Sequence, residues 1–314
     1  MDGERPRPGP GRAGGLRRRL PRAHRARRLV GLADPRALRV PGRPRGGRPR
    51  GRVRPVPELR TEDVTLHVEV DGEGDPVTVV AHGLTNNRNE LAALTPFVPG
   101  TKVRFDFRGH GRSGAPETGY RFADFARDLD AVARAYGATR AVGTSLGAGA
   151  IATLLARDPD RFERTVWLLP AALDLPFPWV ERYEALAAEL EGKTPEEALE
   201  AVLSRPERVA EYLRTPWKLE LDRMLWEHEH PEGLARAIRE VIRDRPVADR
   251  EALRAVTRPV LLVCIEGDEI HPAEFGHVLH ELMPASELVV YPSQEALFAA
   301  LPELVERVGR FLLG

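Results

Sequence analysis

Residues 143–147 read Gly143-Thr144-Ser145-Leu146-Gly147, a G-x-S-x-G pentad. Its surroundings give it meaning. Ala138–Gly143 reads as a strand, and Leu146–Ala156 reads as a helix rich in small residues. A serine on so sharp a strand-to-helix turn must adopt strained backbone angles. Its neighbours two residues away must be small if strand and helix are to approach, and both are glycine. The hydroxyl is then pushed out at the sheet edge, beside a helix N-terminus that favours developing negative charge. That is the setting of a nucleophile in acyl transfer. A hydroxyl needs a base, and a base needs an orienting group. Asp268 follows the apolar strand Pro259–Ile265 by three residues, and His271 follows Asp268 by three more. In a tight turn, side chains three apart can meet. Glu266 and Glu269 are weaker carboxylate candidates.

The elements around these residues alternate between the two periods. Strands are expected at Thr61–Val70, Pro76–Ala81, Val103–Asp106, Ala138–Gly143, Thr165–Leu169, Val260–Ile265 and Leu288–Tyr291. Helices are expected at Asn89–Phe97, Phe122–Tyr136 and Leu146–Ala156, with Phe122, Phe125, Leu129 and Val132 on one face of the second. Such alternation implies an α/β fold with a doubly wound, mostly parallel sheet covered on both faces. Residues 171–248 interrupt it with no strand pattern. Thr194-Pro195-Glu196-Glu197 is a capping box with proline at the first helical position, and Ser204 with Glu207 reads as a second. This stretch is expected to be a helical lid inserted between two halves of one sheet. Trp179, Trp217 and Trp226 fall in it, either lining a pocket or anchoring it to the core.

Taken in order, the landmarks resemble the α/β-hydrolase superfamily in its lid-bearing branch, over residues 61–314. His82-Gly83-Leu84-Thr85 is similar to the family's HG loop after the third strand. Asp106-Phe107-Arg108-Gly109-His110-Gly111-Arg112-Ser113-Gly114 is similar to its D-x-R-G-H-G-x-S segment. Gly143–Gly147 matches the elbow, and Glu266-Gly267-Asp268 with Pro272 matches the acid loop. The resemblance implies an oxyanion hole from the main-chain N–H groups of Leu84 and Leu146. It implies Asp268 as the carboxylate, with Asp174 after the sixth strand as the second place some members of the family use, and bracing roles for His82 and His110. It also implies a histidine after the last strand, and here the chain departs: Ala296 stands at that place and no histidine follows His280. His271 is the expected substitute. His228 and His230, at i and i+2 in the insertion, are further candidates for the base and point to different sides of a helix, against a metal pair. His277 and His280 are expected on a surface helix.

The leading reading is hydrolysis of a carboxylic ester, thioester or lactone through an acyl-serine intermediate on Ser145, with Asp268 and His271. The alternative is a catalytically impaired relative that binds a small apolar ligand under its lid. Neither requires a cofactor or metal: there is no P-loop, no G-x-G-x-x-G after a strand and no cluster of thiol or imidazole ligands. The expected partner is an apolar small molecule.

Composition bounds the rest. Residues 1–58 hold 18 arginines against four acidic residues, a formal charge of +14 in a chain of net zero. They also hold ten prolines, ten glycines and no aromatic residue. Such a segment buries too little apolar surface to offset chain entropy, so a disordered, passive or artefactual extension is expected. A basic tail that binds nucleic acid is the rival reading, opposed by the charge of −14 on residues 59–314. No apolar stretch follows Arg17-Arg18-Arg19 as an export signal requires, and no window reaches the roughly 18 apolar residues of a membrane span. A cytoplasmic location follows as the expectation. The lone cysteine, Cys264, lies in an apolar run and is expected to be a buried structural thiol.

Overall fold

The computed structural model describes residues 58–314 apart from Pro176 and Pro178. The expected Arg-rich extension lies outside the described residues, except for Glu58. Eight strands form one sheet: β1 (Glu58–Arg60), β2 (Thr65–Asp71), β3 (Val77–Ala81), β4 (Thr101–Phe105), β5 (Arg140–Thr144), β6 (Arg164–Leu168), β7 (Val260–Ile265) and β8 (Ser286–Tyr291). Their order is β1-β2-β4-β3-β5-β6-β7-β8. The first two strands pair antiparallel, and β4 onward is parallel.

Side chains alternate across the sheet, and each face has its own cover. Along β7, Val260 and Leu262 belong to the core shared with α1 (Phe122–Ala135), α2 (Leu146–Leu155) and α8 (Ala273–Leu282). Leu261 and Val263 face the other way, onto Leu304, Val308 and Leu312 of α10 (Leu301–Leu313). A strand buried on both faces must be apolar at every position, and β7 is. The α1 face is as its spacing predicts, with Phe122, Phe125, Leu129 and Val132 all buried. Cys264 is buried as well, and burial pushes its thiol up to about 11.

Between β6 and β7 run five helices: α3 (Val180–Leu190), α4 (Pro195–Leu203), α5 (Pro206–Arg214), α6 (Trp217–Leu225) and α7 (Pro231–Val241). α4 starts on the expected capping box, with the Thr194 hydroxyl accepting from the Glu197 N–H and the Glu197 carboxylate accepting from the Thr194 N–H. The second expected box does not form. Pro206 takes the first helical position of α5 and restricts the residue before it, so Arg205 caps α5 and Ser204 closes α4.

Two other expectations are corrected. Thr61–Val70 is not one strand: Thr61 and Val64 close a tight turn through N–H···O and hydroxyl bonds, which folds β1 onto β2. Asn89–Phe97 is a run of turns ending in the 3-10 helix Thr95–Phe97, its bonds reaching three residues except for a single four-residue bond from the Thr95 N–H to the Leu91 carbonyl. The side chain of Glu90 is drawn back to Gly83 instead of outward, and Pro96 supplies no N–H, so an α-helical ladder cannot close there.

The Asp106–Gly114 loop is anchored from beneath. Arg108 is fully buried and makes paired bonds to Asp128 of α1, Nε to Oδ2 at 2.8 Å and Nη2 to Oδ1 at 2.6 Å. Without Asp128 the buried guanidinium keeps only the exposed Asp63 carboxylate and the Gly119 carbonyl as partners, and breaking a buried pair is strongly destabilising. Asp128→Ala should therefore lower unfolding free energy by about 3–5 kcal/mol in urea titration, whereas substitution of the exposed pair Arg254–Glu251 should change it by less than about 1 kcal/mol.

Candidate active site

Ser145 sits between β5 and α2 at φ +48° and ψ −106°, a conformation L-residues rarely adopt. Its N–H donates to the Leu168 carbonyl at 2.9 Å, tying the turn to β6. The flanking glycines have the steric reason expected of them. A Cβ on Gly143 would lie 2.5 Å from the Gly147 carbonyl carbon, and one on Gly147 would lie 2.4 Å from the Ala81 carbonyl oxygen. The backbone of the turn leaves no room for either.

The Ser145 hydroxyl meets an imidazole. His271 Nε2 lies 3.2 Å from Ser145 Oγ, and His271 Nδ1 lies 3.1 Å from Asp268 Oδ2. The Asp268–His271 turn is held by its own acid: Asp268 Oδ1 accepts the N–H groups of Ile270 and His271 at 2.9 and 3.0 Å. One carboxylate thus shapes the loop with one oxygen and faces the ring with the other. The hydrogen bond from His271, aided by its charge and by the two backbone donors, pulls the Asp268 carboxyl down to about 2 against partial desolvation. The other candidates are placed elsewhere. Asp174 is clamped by Arg250 through Nε to Oδ2 at 2.7 Å and Nη2 to Oδ1 at 2.5 Å, and the Arg250 hydrogen bond lowers its pKa. Glu266 and Glu269 are exposed. Ala296 lies in α9 (Gln294–Ala299), its N–H capped by the Ser293 hydroxyl.

Leu84 and Leu146, the expected oxyanion residues, both line the same cavity as Ser145. Among the described residues neither of their N–H groups donates an intramolecular hydrogen bond. His82 braces this loop: Nδ1 donates to the Gly83 carbonyl at 2.8 Å, and Nε2 accepts the Phe107 N–H at 3.0 Å. His110 is buried and bonds through Nδ1 to the Arg108 carbonyl. His228 is also buried and engaged through both ring nitrogens, with Gly111 and Thr85, rather than near Ser145.

A half-open pocket lies above Ser145, about 450 Å³ of empty space when the open solvent at its mouth is counted. Its lining includes Leu84, Phe122, Leu146, Phe177, Tyr183, Val241, Ile242 and Ile270, and among the described residues no charged side chain lines it. None of the three tryptophans lines it. Trp217 is exposed, Trp226 packs within the insertion, and Trp179 donates its indole N–H to the Glu269 carbonyl at 2.7 Å. Phe177 and Tyr183 take the lining role and pack edge to face.

Sequence reasoning missed Glu90. Its carboxylate accepts the Gly83 N–H at 2.5 Å and bonds Asn86, directly behind the HG loop. Burial pushes its pKa up to about 7. A folded-state pKa above the ordinary value means that ionisation opposes folding. Stability should fall as pH rises from about 4.5 to about 7, and Glu90→Gln, which keeps an acceptor for Gly83, should flatten that fall. Urea midpoints at pH 5 and pH 8 measure it.

The family model for the alpha/beta hydrolase fold matches residues 76–298, and the chain belongs to that family. Among similar proteins is the 2-(acetamidomethylene)succinate hydrolase of Mesorhizobium japonicum, 29% identical over 252 residues, which span 74% of this chain and 85% of that protein. A solved E-2-(acetamidomethylene)succinate hydrolase is 28% identical with a TM-score of 0.58, covering 80% of this chain and 96% of that one. The enol-lactonase from Burkholderia xenovorans has a TM-score of 0.66 at 23% identity, covering 82% of this chain and all of that one, and speaks for the fold alone. These relatives are hydrolases. Among the described residues no helix is long and apolar enough to cross a membrane.

Proposed function

We propose that this protein is a serine hydrolase that cleaves a neutral ester, thioester or lactone carrying an apolar group. The observation that carries the reading is the relay of hydrogen-bond distances Ser145 Oγ to His271 Nε2 to Asp268, at 3.2 and 3.1 Å. In the first half-reaction, His271 Nε2 takes the hydroxyl proton as Oγ attacks the carbonyl carbon. Asp268 holds the tautomer with Nδ1–H and stabilises the imidazolium that forms. The N–H groups of Leu84 and Leu146 stabilise the negative oxygen. His271 then gives the proton to the leaving oxygen or sulfur, which departs and leaves an acyl-Ser145. In the second half, His271 deprotonates a water that attacks the acyl carbon, and Ser145 leaves with the proton restored. The helical insertion serves as the lid, contributing Phe177, Tyr183, Val241 and Ile242 to the acyl-binding wall.

The wall also argues for the substrate class. The similar Mesorhizobium enzyme is named for a succinate. Among the described residues the cavity lining includes no Lys or Arg to meet a carboxylate, and burying an unpaired charge costs several kcal/mol.

A fluorophosphonate probe with mass mapping tests the chemistry: the expected adduct is on Ser145, and Ser145→Ala removes it. A series of p-nitrophenyl esters tests the class, with kcat/KM for the butyrate on the order of 100-fold above that for the hemisuccinate. No adduct and no turnover would instead favour the ligand-binding relative, and a preference for the hemisuccinate would overturn the neutral class.

A further inference from the structure

His228 sits between α6 and α7, far along the chain from every residue of the proposed relay, and is only 6% exposed. Both of its ring nitrogens are committed to backbone. Nδ1 accepts the Gly111 N–H at 2.8 Å, and Nε2 lies 3.0 Å from the Thr85 carbonyl. A main-chain N–H can only donate and a carbonyl can only accept, so the ring carries its proton on Nε2. Burial keeps it neutral, its pKa pushed down to about 4.

The two loops it joins matter to the site. Thr85 follows Leu84, whose N–H is a proposed oxyanion donor, and holds a φ of +69°. A β-branched residue adopts that left-handed conformation only where its surroundings impose it. The bond to His228 is taken from the very peptide that follows this strained residue. Further ties run between the same segments. Asn87 Nδ2 donates to the carbonyls of Met224, Leu225 and Glu227 at 2.8, 3.2 and 3.3 Å, and the Glu229 N–H donates to the Gly111 carbonyl at 2.8 Å. The loop that aims the oxyanion donor is therefore stitched to residues 224–229 of the insertion, not to the sheet alone.

We propose that His228 is a positioning residue for the oxyanion hole: by bridging Gly111 to Thr85 it makes the aim of the Leu84 N–H depend on the seating of the helical insertion. The proposal rests on the acyl-serine reading for its effect on rate, while its structural half stands apart from it. His228 does not touch the reacting atoms; it holds the Thr85–Asn86 peptide of the loop that carries the Leu84 N–H. A misaimed donor weakens the transition state more than it weakens substrate binding, because the oxyanion exists only in the former.

Three variants test this in the full chain: His228→Phe, His228→Gln and Asn87→Ala. Hydrogen exchange by mass spectrometry reads the loop, and hydrolysis of p-nitrophenyl butyrate reads the rate. His228→Phe should raise exchange in residues 83–88 and lower kcat by about 10- to 100-fold with KM changed by less than about threefold. His228→Gln offers one acceptor and one donor at similar reach and should recover most of kcat. Asn87→Ala should loosen the same segment with a smaller loss. Exchange in 83–88 that stays at the wild-type level in His228→Phe would overturn the proposal, as would a Gln variant as impaired as the Phe variant. Were the wild type to show no Ser145-dependent turnover, the hydrolase reading would fall while the exchange data still decided the bridge.

Discussion

Replacing His271 with alanine should lower kcat/KM for an ester substrate by about 10⁴- to 10⁶-fold, close to the loss from Ser145→Ala. The expectation follows from geometry. His271 Nε2 is the ring nitrogen 3.2 Å from Ser145 Oγ, and the buried His82 and His228 spend both of their ring nitrogens on backbone groups. Without the imidazole the hydroxyl stays protonated near neutral pH and the leaving group has no acid to assist it. Residues that act as one unit are not additive, so Ser145→Ala/His271→Ala should lose little beyond either single variant. Steady-state rates and fluorophosphonate labelling rates on the three proteins measure both points. His271→Ala retaining more than about a tenth of wild-type activity would remove His271 from the mechanism.

Asp268→Asn should cost about 10³- to 10⁴-fold in kcat, whereas Asp174→Asn should cost less than about threefold. The two carboxylates have different work. Asp268 faces the imidazole with Oδ2 and holds the N–H groups of Ile270 and His271 with Oδ1, so an amide there can keep the turn but loses the charge that stabilises an imidazolium and turns an NH2 donor toward Nδ1. Asp174 is already taken by Arg250. The same substitution carries a stability signature. A folded-state pKa near 2 lies below the ordinary value, so the pairing stabilises above about pH 4 and that contribution is lost as pH falls toward 2. Discounted for partial exposure, Asp268→Asn should cost about 1–2 kcal/mol at pH 7 and almost nothing near pH 2. Urea titrations at the two pH values read the difference.

The parallel sheet was legible because burial on both faces writes itself as continuous apolar runs, as in Val260–Ile265, and because α1 carries its apolar residues on one helical face. Legibility failed where one local competitor outweighed the pattern. At Thr61–Val64 alternation looked like strand, but the Thr61 hydroxyl closed a turn. At Asn89–Phe97 apolar spacing looked helical, but Glu90 had a tertiary partner in Gly83. Ser204 looked like a cap, but Pro206 decided where α5 begins. For the pocket, the tryptophans of the insertion could be read either as its lining or as anchors to the core. Which side chains face inward depends on how the helices settle, and Phe177 and Tyr183 face the cavity instead.

Short-range chemistry in the chain was enough to nominate Ser145, from two glycines that only a close strand–helix turn requires, and to nominate Asp268 and His271, from a spacing of three that lets a carboxylate shape the loop bearing the ring. Folding alone brought the two together across 126 positions, to 3.2 Å. The same holds for the partners that spacing could not reveal: Arg250 neutralising Asp174, Glu90 behind Gly83, and His228 joining Gly111 to Thr85. Turn geometry is set by a few neighbouring residues and is written locally. Contacts between distant segments are set by how whole elements pack, and no short window of sequence carries that information.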